Sequence, residues 1–201
     1  VATTEFAAAL AAAWRATSAL ELAGVATGFV YLLLAIRERA ACWLAGAVST
    51  AIYLVVFIDA RVYLQAGLQG VYLALSAYGF LAWRRGAGEG SPSLRRAPAA
   101  LQLGLLAAVG AATGVAAPLL TTFTDAASPW LDASTTAASL AATWLLARKY
   151  VDSWLWWIVI DAAIGLLAID GGLWATALLY LGFAALAAVG FRRWRQRALA
   201  A

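Results

Sequence analysis

Histidine is absent from this sequence of 201 residues, and cysteine occurs once, at Cys42. The first absence removes the commonest metal ligand, the commonest general base and the usual proton shuttle. A single cysteine excludes an intramolecular disulfide. Its place at the head of an apolar stretch reads as a small packing residue rather than a reactive thiol. Charge is also scarce: 12% of residues are charged, against about 25% in an average soluble domain. The phosphate-binding loop, the H-E-x-x-H zinc motif and the G-x-S-x-G nucleophile motif are all missing. These absences argue against an enzyme, and no cofactor or metal is expected.

What the chain does contain is apolar surface. Hydrophobic residues make up 65% of it, with 17 glycines and 10 tryptophans. A soluble protein of this length has no way to hide so much apolar area, whereas a bilayer is a natural solvent for it. Glycine lets membrane helices approach closely, and tryptophan favours the membrane interface. Seven apolar spans are expected, near Leu20–Ile36, Cys42–Ile58, Val62–Trp83, Ala99–Leu120, Trp130–Ala147, Trp154–Ile169 and Leu173–Phe191. At ~1.5 Å per helical residue, most are long enough to cross the hydrocarbon of a bilayer. The Ala-rich stretch Thr3–Ala16 is shorter and is expected to lie as a peripheral helix at the interface. The start lacks a basic stretch, so no cleavable signal peptide is expected.

The basic residues alternate with these spans. Arg37 and Arg39 follow the first, Arg84, Arg85, Arg95 and Arg96 the third, and Arg148 and Lys149 the fifth; Arg192, Arg193, Arg195 and Arg197 follow the seventh. Twelve of the 14 basic residues thus fall on one side. The positive-inside rule places that side, with the C-terminus, in the cytoplasm and the N-terminus outside. A nucleic-acid groove would not be scattered this way, so the net charge of +4 is a topology signal.

The chain also resembles itself at an offset of 111 residues. Glu21 falls on Asp132, Arg37 on Arg148, Trp43 on Trp154, Asp59 on Asp170, Gly79-Phe80 on Gly190-Phe191 and Trp83-Arg84 on Trp194-Arg195. Spans 1–3 therefore match spans 5–7. Two three-helix units run parallel only if an odd number of helices joins them, and span 4 is that joiner. The expected organisation is an all-α membrane protein of seven transmembrane helices in a 3+1+3 parallel repeat. Its parts are a peripheral helix (1–18), a first repeat (19–85), a cytoplasmic linker with helix 4 (86–129) and a second repeat (130–197). Parallel repeats of this kind are known in transporters, with the site at the repeat interface near mid-membrane.

Span 6 holds the clearest candidate site. Asp161 lies eight residues from Ser153 and nine from Asp170, near mid-bilayer. A carboxylate there must face a partner, a cavity or a substrate. Trp154, Trp157, Asp161 and Gly165 share one helical stripe, while Trp156 points elsewhere, to lipid or the interface. Two indoles beside an acid suit a flat, positively charged ring. In span 3, Gln65, Gln69, Tyr72, Ser76 and Gly79 share another stripe. Amides must face protein or water inside a membrane, and they suit hydroxyls or a carboxamide. The repeat maps Gln65 onto Thr176, Gln69 onto Tyr180 and Thr50 onto Asp161, which adds Thr176, Tyr180, Ser49, Thr50 and Tyr53 as weaker candidates. Thr135, Ser139 and Thr143 of span 5 read as packing residues.

With CWLAGAVSTAIYLVVFIDARVYLQAGLQGVYLALSAYGFLAWRR and WLWWIVIDAAIGLLAIDGGLWATALLYLGFAALAAVGFRRW in view, the chain resembles the PnuC family of bacterial vitamin transporters. The resemblance runs from about Leu20 to Arg195. Its most specific parts are Trp154 and Trp157, the run Leu68, Gln69, Tyr72, and Thr176 to Tyr180. It implies a SWEET-like 3+1+3 fold in the bacterial inner membrane, a homotrimer, and facilitated diffusion without ATP or a coupled ion. It also implies a central cavity bordered by the span 6 tryptophans, and uptake made one-way by a cytoplasmic nicotinamide riboside kinase. Nicotinamide riboside and thiamine both carry a cationic ring, which suits Asp161 with Trp154 and Trp157. Riboflavin is neutral and suits them less. A carrier that couples transport to protons through Asp161 is the competing mechanism, and a membrane-embedded enzyme or a non-transporting receptor is the competing class.

Overall fold

A computed structural model describes Ala11 and residues 18–59, 63–84, 93–124, 128–170 and 172–200. The peripheral helix expected over Thr3–Ala16 lies, but for Ala11, outside them. Seven helices follow one another: α1 Ala19–Ile36, α2 Ala41–Asp59, α3 Tyr63–Arg84, α4 Ala99–Phe123, α5 Pro129–Ala147, α6 Ser153–Asp170 and α7 Trp174–Ala200. Each corresponds to one of the apolar spans. α7 is longer than its span because the tail past Phe191 is built mainly of Arg, Gln, Ala and Leu, all strong helix formers. On length and hydropathy alone, α4, α6 and α7 each suffice to cross a membrane, and α1 and α2 hold shorter apolar stretches, Leu22–Ile36 and Ala41–Val56. α3 and α5 fall short on this measure because amides and hydroxyls interrupt their apolar runs.

Packing is paired between the two halves of the chain. α2 packs on α1 and α3; α6 packs on α5 and α7; α3 meets α5 as α7 meets α1. α4 packs chiefly on α5.

The repeat is most regular at the basic end. α1 and α5 both finish in the same C-cap, a residue in left-handed conformation: Glu38 (φ 54°) and Lys149 (φ 57°), which are repeat mates. In each, two crossed backbone bonds close the turn: Glu38 N–H to Ala35 O (2.9 Å) with Arg39 N–H to Leu34 O (3.0 Å), and Lys149 N–H to Leu146 O (2.9 Å) with Tyr150 N–H to Leu145 O (3.0 Å). This is the Schellman arrangement, here without its usual glycine. The two cap side chains pair with each other at 3.7 Å, and Arg197 of α7 donates to Glu38 at 2.6 Å.

Beneath these caps lies a cluster of four tryptophans. Trp43 meets Trp83 edge-on (5.6 Å, 87°), Trp154 meets Trp194 in the same way (5.4 Å, 88°), and Trp83 touches Trp194 at 5.9 Å. The indole N–H of Trp83 donates to Ala147 O at 3.0 Å, at the end of α5. The indole N–H of Trp194 donates to Ala35 O and Ile36 O at 3.2 and 3.3 Å, at the end of α1. The bonds to Ala147 O and Ile36 O satisfy helix-terminal carbonyls, while Ala35 O, which already accepts from the Glu38 N–H, takes a second donor. Gly79 and Gly190 make room: a Cβ at Gly79 would overlap the Trp43 indole, and one at Gly190 would stand 2.7 Å from Trp154.

The described end of the Arg-rich linker is not free. Arg95 N–H donates to Lys149 O, Val151 N–H donates to Arg95 O, and the Arg95 guanidinium lies 4.5 Å over the Tyr150 ring. Asp152, buried, accepts from Arg96 Nε at 2.8 Å and from the Ala97 N–H at 2.6 Å. Asp152→Ala leaves that N–H without its acceptor and Arg96 without its partner. The expected loss is about 1–3 kcal/mol, read as a lower unfolding midpoint in detergent, with Asp152→Asn intermediate.

Candidate functional site

Next to the tryptophan cluster, toward the middle of the helices, lies a cavity of about 130 Å3. α1 lends it Gly28 and Tyr31; α2 lends Trp43, Gly46, Ser49 and Thr50; α3 lends Tyr72 and Ser76. From the second half of the chain come Thr143 of α5 and Trp157 of α6. The lining is thus six hydroxyl-bearing side chains, two indoles and two glycines, with no charged group.

Three of the hydroxyls are held in place by neighbouring backbone and side chains. Ser49 donates to Gly24 O at 2.8 Å, which ties α2 to α1, and Thr143 donates to Ser139 O at 2.7 Å. The Tyr72 hydroxyl is hydrogen-bonded to Ser139, which links α3 to α5. With their protons committed, Ser49 and Thr143 keep oxygen lone pairs for a ligand. The Tyr31 ring leans edge-on against Trp43 at 6.0 Å.

Asp161 is buried at 6% exposure and sits outside the cavity lining. It lies within electrostatic reach of Tyr180 of α7, which in turn is within reach of Tyr53 and Tyr72. Asp161 thus lies in the electrostatic neighbourhood of a tyrosine that is itself within reach of tyrosines from the first half of the chain. The Tyr53 ring packs where a Cβ on Gly24 would come within 3.1 Å.

The structure therefore brings together Trp157, Ser49, Thr50 and Tyr72 on one cavity, and sets Tyr180 within electrostatic reach of Asp161 and of Tyr53. It does not bring Trp154 to the cavity. That indole is fully buried between Gly190 and Trp194. Gln69 and Thr176 are half-buried and do not line the cavity. Gln65 lies in the first turn of α3, and its side chain is outside the described residues. Trp156 is turned to α4 and donates to Gln102 Oε1 at 2.9 Å, rather than pointing to lipid alone. Lining residues that sequence reasoning did not single out are Gly28, Tyr31, Trp43 and Gly46, and Thr143, which its spacing reads as a packing residue, lines the cavity as well. Gly46 had a legible signal: it is the repeat mate of Trp157.

A larger groove of about 410 Å3 runs between α4, α5 and α6. Its walls are almost wholly apolar and open outward, with Leu106 and Val159 well exposed. A site for a polar solute needs convergent polar groups, which the smaller cavity has and this groove lacks.

Residues 18–196 match the model of the nicotinamide mononucleotide transporter family. The chain belongs to this family, the PnuC transporters. It is a multi-pass membrane vitamin transporter and not an enzyme. Among its relatives, the nicotinamide riboside transporter PnuC of Escherichia coli (strain K12) is 25% identical, the match covering 87% of this chain and 84% of the relative. The riboflavin/roseoflavin transporter RibM of Streptomyces davaonensis is 30% identical, over 64% of this chain and 62% of the relative. A crystal structure of the vitamin B3 transporter PnuC shares the fold, with a TM-score of 0.72 at 20% identity, covering 98% of this chain and 90% of that one.

Proposed function

We propose that this PnuC-family chain carries nicotinamide riboside into the cytoplasm by facilitated diffusion. The observation that carries the reading is the cavity itself. It is lined from both halves of the chain, sets the Trp157 indole among six hydroxyl-bearing side chains, and has Asp161 one turn along α6 from Trp157. An indole face stacks an aromatic cation, hydroxyl oxygens bond a ribose, and a nearby carboxylate offsets a fixed positive charge. Gln69 of α3 and Thr176 of α7, both half-buried, are further candidates for polar contact with the substrate. Trp154 supports the site from below by holding the helix ends in register.

The arrangement behind this is a 3+1+3 parallel repeat of SWEET type, with 19–85 and 130–197 as repeats and 86–129 as linker and joining helix. The reciprocal caps, indole bonds and tryptophan pairs at one offset support it. All seven helices cross the inner membrane, with the Arg-rich end cytoplasmic and the N-terminus outside. The protein works as a homotrimer, and a cytoplasmic nicotinamide riboside kinase makes uptake one-way by trapping the product.

The test is a titration of purified protein followed by tryptophan fluorescence, with nicotinamide riboside, thiamine and riboflavin in parallel. Saturable quenching by nicotinamide riboside at the lowest concentration is expected. Riboflavin is the second reading, favoured by the RibM relative and by the uncharged cavity lining. Tighter quenching by riboflavin would replace the first reading with it.

A further inference from the structure

The residues that line the cavity are not matched in kind by their counterparts 111 positions away. Shifting its lining by 111 residues puts Ile160 in the place of Ser49, Phe183 in that of Tyr72 and Ala187 in that of Ser76. The counterpart surface has lost these hydroxyls. At the centre of the comparison, Gly46 exchanges with Trp157. The second repeat fills with an indole the place that the first leaves empty, and both residues line the one cavity.

The missing side chain at 46 has a definite direction. A Cβ built there would stand 3.0 Å from Cδ2 of Tyr31 and 3.7 Å from Oγ of Ser76. Both neighbours line the cavity, so any side chain at 46 grows into the ligand space. The first carbon already presses on the Tyr31 ring. That ring is backed by Trp43, itself only 1% exposed and packed against Gly79. A packed core resists such a shift.

We infer that Gly46 is the specificity-determining residue of the cavity: its absent side chain sets how large a ligand fits against Trp157. Size selection acts through α2, opposite the stacking wall on α6. The transport reading supplies only the ligand's identity; the steric role of position 46 stands apart from it.

The test uses the full chain with Cys42→Ala, which removes the single buried thiol, and Ser76→Cys as a reporter in the cavity. The probe is 2-aminoethyl methanethiosulfonate, with folding checked by gel filtration and thermal unfolding. The thiol introduced by Ser76→Cys is expected to react, and adding Gly46→Leu is expected to slow the reaction at least tenfold. Gly46→Ala, with the native Ser76, is expected to weaken riboflavin binding more than nicotinamide riboside binding, by a several-fold larger factor. Equal labelling with Gly46→Leu in folded protein overturns the inference, as does a reporter thiol that stays unreactive with Gly46 in place. If Gly46→Leu blocks labelling but no vitamin protects the reporter thiol, position 46 is confirmed as the size determinant. In that case the vitamin assignment fails instead.

Discussion

Trp157→Ala is expected to weaken vitamin binding at least tenfold while leaving the protein folded, and Trp154→Ala to act chiefly on stability. The two indoles are three residues apart on α6, yet their surroundings differ. Trp157 is half-buried and faces the cavity. Removing it deletes a stacking surface, worth about 2 kcal/mol for a desolvated cationic ring, above the ~1.4 kcal/mol that tenfold requires. Trp154 is fully buried against Gly190 and Trp194. Truncating a buried tryptophan leaves a cavity in a packed core, at about 3–5 kcal/mol. Fluorescence titration and thermal unfolding on the same preparations separate the two effects. A Trp154→Ala protein that keeps its unfolding midpoint but loses binding would reverse the assignment.

Gly190→Ala and Gly79→Ala are expected to destabilise the protein, by about 1–3 kcal/mol each. At Gly190 the added carbon would sit 2.7 Å from Cδ2 and Cε3 of Trp154, and at Gly79 it would overlap the Trp43 ring. Neither indole has room to move. Trp43 is held edge-on by Trp83, and Trp154 by Trp194; Trp83 and Trp194 are in turn tied by hydrogen bonds to the ends of α5 and α1. Because one cluster joins both glycines, the cost of the double substitution should depart from the sum of the singles. Thermal unfolding in detergent checks this. Gly67, with open space around its Cβ position, is the control; alanine there is expected to be harmless.

Much of this was legible in the sequence because membrane helices announce themselves by length and hydropathy. All seven helices fall where the apolar spans lie. The 111-residue offset found the Trp43/Trp154, Gly79/Gly190 and Trp83/Trp194 pairs, which are the residues that hold the basic end together. Helical spacing correctly grouped Trp154, Asp161 and Gly165 on the buried face of α6. What spacing leaves open is which residues on a buried face meet a cavity and which meet another helix. Trp154 and Trp157 share a face but not a neighbour, because Gly190 draws α7 against the first. Gly46 was invisible to a search for polar groups, since its contribution is space. The pairing of Glu38 with Lys149 needed the fold, because charges in separate loops show no partner in a linear reading.

The measurement that tests the central claim most directly is counterflow in liposomes. Purified protein is reconstituted into vesicles loaded with unlabelled nicotinamide riboside, and labelled nicotinamide riboside is added outside, with no ATP, no ion gradient and a protonophore present. The proposed uniport predicts transient accumulation of label inside, abolished or strongly reduced in Trp157→Ala. Absence of exchange by folded protein, or exchange that needs an imposed proton gradient, would contradict it.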